Sequence, residues 1–278
     1  MLRLAIIIVS HNTRDDLAGC LRSLAEGPPA VPHEIVVVDS GSIDGSVELV
    51  RREWPKVHVL EAPGNVGFAC GCNLGVRASA SDLVLLLNAD TTVPPGAIDR
   101  LIAALDAHPD TAALGPRLLD GAGRAELSYG AMPGPWSELR QKVVRALAGR
   151  DVGVAVRWLE DATSRPRVVD WVSGACLLTW RRDAEAAGLL DERYFMYFED
   201  VDFCAALRAR GRLVRFEPAA VIVHYRGRAA ATAPSAVRAA YRRSQLAFYA
   251  KHHPRWRPWL RVYLALAGKL PAESADKP

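Results

Sequence analysis

The 278-residue chain has no apolar run of eighteen or more residues, and its mean hydropathy is only +0.04. No segment therefore reads as a membrane-spanning helix. Its five cysteines, Cys20, Cys70, Cys72, Cys176 and Cys204, are an odd and sparse set. They make no disulfide framework, and without two C-x-x-C pairs no structural zinc site is expected, so a reducing compartment follows. The loop Gly64–Asn73 is rich in glycine but has neither the dinucleotide G-x-G-x-x-G pattern nor the Lys-Ser/Thr of a phosphate loop, which argues against a Rossmann dehydrogenase. Cys70 and Cys72 inside it read as small buried residues. There is no internal repeat and no low-complexity linker. Met1–Val9 is short and apolar, but no small-residue cleavage site follows before Ser10-His11-Asn12-Thr13 turns polar. That stretch reads as a buried first strand, with no export signal and a cytoplasmic location.

Half of the chain is hydrophobic and 24% is charged, enough for a large core and too ordered a composition for global disorder. The net charge of +4 is unevenly placed: Tyr225–Pro278 carries 11 Lys/Arg against 2 Asp/Glu, so the body before it is mildly acidic.

The first half alternates strands and helices. Leu4–Ser10, Glu34–Asp39 and Asp82–Asn88 are continuous apolar runs, as expected of parallel strands covered on both faces, and Val57–Leu60 is a shorter one. Helices are expected after Thr13 or Asn12, over Ser46–Glu53, over Cys72–Ala80 behind a loop at Asn65–Ala69, and over Pro94–Ala107. Right-handed βαβ units and a parallel sheet follow, with ligands at the carboxyl ends of the strands. Thr111–Gly115 is a short strand, and Gly121–Arg167 a long irregular excursion. Asp170–Thr179 is a strand, Arg181–Gly188 a helix, and Asp191–Phe198 an aromatic loop. Asp200–Arg210 is a helix closed by Gly211, Leu213–Val223 a strand, and helices fill the chain from Ala229.

Polar and acidic groups stand at several strand ends: Ser10 and His11, Asp39, and Asn88-Ala89-Asp90. Glu199-Asp200 opens a later helix behind an aromatic run, Phe195–Phe198. Any one Asp reads as a turn or cap residue; together they can converge on one cleft. Oxygen ligands beside substrate phosphates suit Mg²⁺ or Mn²⁺. A carboxylate beside aromatic walls suits a general base. His224 follows a strand, where a structural role competes with metal ligation.

In these segments the chain resembles the inverting family 2 glycosyltransferases of GT-A fold, especially their rhamnosyltransferase-like branch. The matching pieces are Ile8–Asn12, Val36–Ser46, Asn65–Ala69 with Asn73 and Gly75, Leu86–Thr91, Trp171–Ala175, Phe195–Cys204 and His224, in the family's order and spanning 4–228. The resemblance implies an α/β GT-A (Rossmann-like) catalytic domain over 1–228, with a mostly parallel central sheet flanked by helices, and a basic helical C-terminal extension over 229–278. It implies that Asp39, with Ser10 and His11, holds the donor's base and ribose, and that Asn12, Asn65, Gly67, Asn88 and Ala89 complete the nucleotide site. Asp90 becomes the metal-binding acid, Asn88 standing where many relatives have a first acid. His224 becomes a metal or diphosphate contact, Asp200 the general base, Glu199 a positioning or acceptor-binding acid, and Trp171 a wall of the acceptor or donor-sugar site.

The activity implied is metal-dependent transfer of a sugar, with inversion, from a dTDP- or UDP-sugar to a glycan or lipid-linked acceptor in cell-envelope polysaccharide synthesis, dTDP-rhamnose being the first expectation. A nucleotidyltransferase that forms nucleotide sugars is the runner-up, but it needs a Gly-rich basic loop after the first strand, and Ser10–Asp16 is not one. A non-catalytic sugar-nucleotide module would not need both Asp90 and Asp200. The basic, Trp-rich tail admits two readings: peripheral contact with the inner face of the membrane, or a helical pair packed on the domain. No nucleic-acid recognition motif accompanies its charge. The oligomeric state is left open.

Overall fold

The computed structural model describes residues 2–138, 153–225 and 234–271. The strands are β1 (Leu4–Ser10), β2 (His33–Asp39), β3 (His58–Glu61), β4 (Leu83–Asn88), β5 (Thr91–Thr92), β6 (Thr111–Leu119), β7 (Tyr129–Gly130), β8 (Arg167–Val169), β9 (Trp171–Val172), β10 (Cys176–Trp180) and β11 (Leu213–His224). The helices are α1 (Arg14–Glu26), α2 (Ser46–Glu53), α3 (Phe68–Arg77), α4 (Ala97–Asp106), α5 (Gly153–Ala162), α6 (Arg181–Ala187), α7 (Glu199–Ala209), α8 (Pro234–His252) and α9 (Arg257–Leu266). The boundary expected at Ala229–Pro234 falls largely outside the described residues, as do the middle of the Gly121–Arg167 excursion and the last seven residues of the tail.

Alternation along the apolar strands divides one sheet into two cores. Ala5, Ile7, Val36, Val38, Val84 and Leu86 face one way, onto Ala69, Cys72 and Val76 of α3, Phe203 and Leu207 of α7, and Phe248 of α8. Leu4, Ile6, Ile8, Val37, Leu85 and Leu87 face the other way, onto Leu17, Leu21 and Leu24 of α1 and Ile98, Leu101 and Leu105 of α4. Successive side chains of a strand point to opposite faces, so an unbroken apolar run is what a doubly covered strand requires. Each such Leu or Ile, fully buried, contributes about 1.5–3 kcal/mol.

The main sheet runs β3-β2-β1-β4-β10-β6-β11-β5, with β8 added to β11; β7 and β9 form a separate pair. The β3-β2-β1-β4 half is parallel, as its βαβ pattern predicts. Beyond it the expected parallel order gives way to a mixed sheet, because β10 runs antiparallel to both β4 and β6. The chain enters β10 through a turn at residues 173–175 rather than a helical crossover, so no parallel return is imposed. That turn also divides the strand expected over Asp170–Thr179 into β9 and β10.

The register makes the sheet's edge flush. Ser10 pairs with Asp39 and Val9 with Asn88, which sets the ends of β1, β2 and β4 level. The antiparallel β10 begins where β4 ends, the Asn88 amide donating to the Ala175 carbonyl at 2.9 Å. The last residue of β11, His224, pairs with Thr91, and the Tyr225 amide donates to the Asp90 carbonyl at 2.9 Å. Five segments distant in sequence thus meet at one end of the sheet.

Candidate active site

A cavity of about 580 Å³ opens at that end. Ten of the residues expected from sequence line it: His11, Asn65, Gly67, Asn88, Ala89, Asp90, Trp171, Glu199, Asp200 and His224. Ser10, Asn12 and Asp39 are outside the lining, Ser10 and Asp39 buried and Asn12 exposed, and they build its frame. Ser10 Oγ shares a hydrogen bond with Thr13 Oγ1 at 2.9 Å. Asn12, at φ +51°, accepts from the Ile43 amide and so ties the loop after β1 to the loop after β2. Asp39 Oδ2 accepts from the Ser42 amide, while its Oδ1 is buried with no partner, next to Ser40 in the lining.

The loop after β3 is organised from a distance. Gly67 holds φ +81°, and a Cβ there would stand 2.4 Å from the Phe195 carbonyl oxygen. The Phe68 amide donates to that same oxygen at 2.8 Å, which starts α3 at Phe68 instead of at the expected Cys72. The difference has a tertiary origin: the aromatic loop before α7 supplies an acceptor that the local sequence does not. In that loop Tyr197 and Phe198 both adopt positive φ, +70° and +69°. Such backbone strain costs of order 1–3 kcal/mol per residue and persists only where the surroundings hold it.

The surroundings are α8. Ser244 Oγ donates to the Met196 carbonyl at 2.7 Å, the Tyr241 ring lies 5.4 Å from Phe198, and Phe248 lies 5.2 Å from Phe198 on its other side. Asp202, buried in the first turn of α7, accepts from Lys251 at 2.7 Å and Tyr194 Oη at 3.2 Å, and its other close partner is His252 Nε2 at 2.6 Å. Burial alone would raise the Asp202 pKa, but these hydrogen bonds and charges outweigh it and hold the carboxyl below its ordinary value. Tyr241 itself lines the cavity, so α8 supplies part of the wall.

Two acids side by side on α7 have different environments. Asp200 Oδ2 accepts from the Gly174 amide at 2.8 Å, and Oδ1 from the Val201 amide at 2.8 Å. Glu199 is buried, its Oε2 has no partner, and burial followed by the neighbouring Asp200 charge pushes its carboxyl well above the usual range. Across the cavity, Asp90 Oδ1 lies 3.2 Å from His224 Nε2, and Asn88 Nδ2 lies 3.3 Å from the same nitrogen. Both contacts meet the same ring nitrogen, and the other, Nδ1, faces Glu126 Oε2 at 3.6 Å.

Sequence reasoning missed Glu126, Gly174 and Tyr241. Glu126 lies in the irregular excursion, with no strand or motif to mark it. Gly174 lies within the motif Trp171–Ala175, but a backbone donor leaves no side-chain signature. Tyr241 was read as tail.

The fold and cleft define the class first: this is a GT-A glycosyltransferase. The family model described as "Glycosyl transferase family 2" matches residues 5–155. The N-acetylglucosaminyl-diphospho-decaprenol L-rhamnosyltransferase of Mycobacterium tuberculosis is 30% identical over 288 residues, covering 98% of this chain and 94% of its own. A low-salt glycan biosynthesis hexosyltransferase of Haloferax volcanii is 29% identical over 74% of this chain and 61% of its own. Among solved structures, the mannosyltransferase of Pyrobaculum calidifontis in complex with GDP-Man and Mn²⁺ superposes with a TM-score of 0.61 at 20% identity, over 95% of this chain and 69% of that one. The chain belongs to glycosyl transferase family 2.

The residues present suit a divalent cation. Asp90 and His224 bring a carboxylate oxygen and an imidazole nitrogen within 3.2 Å of each other, with Glu126 3.6 Å from the other ring nitrogen. Among the described residues no group of three or more His, Cys, Asp or Glu is arranged to hold a metal ion. Such a two-ligand site leaves its remaining positions to substrate phosphates and water.

Proposed function

We propose that this glycosyltransferase moves L-rhamnose from dTDP-rhamnose to a lipid-linked N-acetylglucosaminyl diphosphate acceptor, in one displacement with inversion at the anomeric carbon. The observation that carries the mechanism is the pairing of an amide-anchored Asp200 with a neutral-leaning Glu199, on the wall of the cavity that also holds Asp90 and His224. The donor and acceptor are supported by the relative that is 30% identical over nearly the whole chain.

On this reading Asp200 takes the proton of the acceptor hydroxyl. The oxygen forms a bond to the anomeric carbon while the bond from that carbon to the diphosphate oxygen breaks, and the nucleoside diphosphate leaves. The Gly174 amide fixes the orientation of the receiving carboxylate. Glu199, whose carboxyl is pushed upward by burial and by the Asp200 charge, orients the acceptor beside it. Asp39, Asn65 and the loops after β1 and β2 hold the nucleotide, and Trp171, whose Nε1 is held by the Ala131 carbonyl at 2.9 Å, walls the sugar site. Asp90 and His224 would hold Mg²⁺ or Mn²⁺, whose charge offsets that of the departing diphosphate. A covalent nucleophile is not required.

The test is direct. The purified protein is incubated with dTDP-rhamnose, UDP-glucose or GDP-mannose, a short-chain N-acetylglucosaminyl diphospholipid, and Mn²⁺, Mg²⁺ or EDTA. The expected product is a cation-dependent rhamnosyl lipid whose anomeric configuration is opposite to that of the donor. Transfer from another donor with none from dTDP-rhamnose would overturn the sugar assignment. A product of unchanged anomeric configuration would overturn the single displacement.

A further inference from the structure

Helix α9 carries its apolar residues on the outside. Trp256, Trp259, Tyr263 and Leu266 are spaced three, four and three residues apart, which places them on one face of the helix. They are 49%, 69%, 53% and 86% exposed. The opposite side anchors the helix: Leu264 is fully buried, and Leu260 packs on the core cluster that holds α7 and α8. A core-facing helix would turn its widest apolar face inward; this one turns its two tryptophans and a tyrosine to the outside.

The charge around the stripe has one sign. Between Pro254 and Pro271 the chain carries Arg255, Arg257, Arg261 and Lys269 and no acid. Within the helix Arg257 and Arg261 fall on the side away from the stripe, so the cations beside the rings are those at its two ends, Arg255 and Lys269, and rings at the headgroup level of a bilayer seat among polar groups where such cations meet anionic lipid. No helix among the described residues is long and apolar enough to cross a membrane.

We infer that α9 lies flat on an anionic phospholipid surface, with Trp256, Trp259, Tyr263 and Leu266 inserted, and so brings the catalytic cavity to the bilayer. The connection to the cavity is short. His253, three residues before Trp256, donates from Nε2 to the Pro133 carbonyl at 2.7 Å, and Pro133 lines the cavity. Trp136, 78% exposed and two residues beyond Gly134 at the same corner, adds a second aromatic anchor. The inference deepens the reading of a lipid-linked acceptor, on which its purpose rests: an acceptor held in a bilayer presents its sugar within a few ångströms of the headgroups, and a docked cleft meets it there.

Vesicle binding without donor or acceptor tests the docking apart from the chemistry. Full-length protein is mixed with phosphatidylcholine vesicles that contain or lack one quarter phosphatidylglycerol, at low salt and at 0.5 M NaCl. It is expected to float with the anionic vesicles at low salt, with a blue shift of tryptophan fluorescence, and to be released by salt. Replacing Trp256, Trp259, Tyr263 and Leu266 together by Ser should weaken partition at least tenfold, with circular dichroism and Tm unchanged. Arg255→Gln with Lys269→Gln should remove most of the salt dependence. Activity of both variants on a short-chain, water-soluble acceptor should match wild type, while activity on a long-chain acceptor in vesicles falls. Equal flotation of wild type and the Ser variant would overturn the inference. So would wild type that ignores vesicles but is a dimer the Ser variant cannot form, since the stripe would then be an interface between copies. Vesicle binding as expected, with no transfer to any acceptor, would leave the docking in place and strike only the acceptor reading.

Discussion

The backbone amide of Gly174 donates to Asp200 Oδ2 at 2.8 Å, and a Cβ on residue 174 would stand 3.2 Å from the Cβ of Asp200. The reach of the amide and the missing side chain act on the same carboxylate, one holding it and the other making room for it. Gly174→Val is therefore expected to displace Asp200 and lower kcat while leaving donor affinity unchanged. Calorimetric titration of the nucleotide sugar beside steady-state rates separates the two.

Replacing the proton acceptor itself is more severe. Asp200→Asn keeps the shape and loses the basicity, with an expected fall in turnover of about two to four orders of magnitude. Glu199→Gln imitates the neutral form that burial favours, so turnover should stay within about tenfold of wild type. If Glu199→Gln were the more damaging of the two, the base would be Glu199.

The cation site predicts a graded series. Asp90→Ala and His224→Ala should abolish the part of donor affinity that depends on Mn²⁺. Glu126→Gln removes the acid behind the imidazole and should weaken cation affinity by about 10–100-fold. Titration of Mn²⁺ in the presence of nucleoside diphosphate reads all three, and unchanged cation dependence in a folded Asp90→Ala would refute the site.

Gly67 is a stability prediction. Alanine there meets both a left-handed backbone and the Phe195 carbonyl, so Gly67→Ala should cost about 1–3 kcal/mol and loosen the start of α3. Urea denaturation checks the cost.

The parallel half of the sheet was legible because Ile6, Ile7, Val37, Val38, Leu85 and Leu86 sit in runs that only a doubly covered strand tolerates. The site residues at the ends of those runs were legible for the same reason: Asn88-Ala89-Asp90 directly follows the apolar run Leu83–Leu87. The antiparallel β10 was not, since Cys176–Trp180 reads equally well in either direction, and its direction is decided by the turn at Gly174. Nor was the early start of α3, which depends on an acceptor 127 residues away at Phe195. The third acid of the α7 motif reads as a helix-dipole residue, and its contact with Lys251 and His252 lies beyond any local pattern.

That contact predicts a pH dependence. Asp202 titrates below its ordinary value of 3.8 in the folded protein, so its contribution to stability is present above that value and is lost as the pH falls through the lowered one. Burial opposes the Lys251 charge, but the hydrogen bonds and charges of Asp202 and Asp191 outweigh it and shift Lys251 upward, so its share is lost only as the pH rises past its raised value. Asp202→Asn should cost about 1–3 kcal/mol at pH 7. The gap between variant and wild type should close as both are acidified below pH 3.8, as followed by equilibrium denaturation across pH.

The clamp between Asp202 and the Lys251-His252 pair also sets an order in time. A ribosome delivers the chain from its amino end, so the strands that carry Asp39, Asn88 and Asp90 emerge and can pair well before α8 leaves the exit tunnel. Until α8 emerges, the left-handed turn at Tyr197 and Phe198 lacks its contacts with Tyr241, Ser244 and Phe248, and Asp202 lacks those with Lys251 and His252. A chain cut before residue 251 lacks that clamp, and is expected to lose turnover before it loses nucleotide binding.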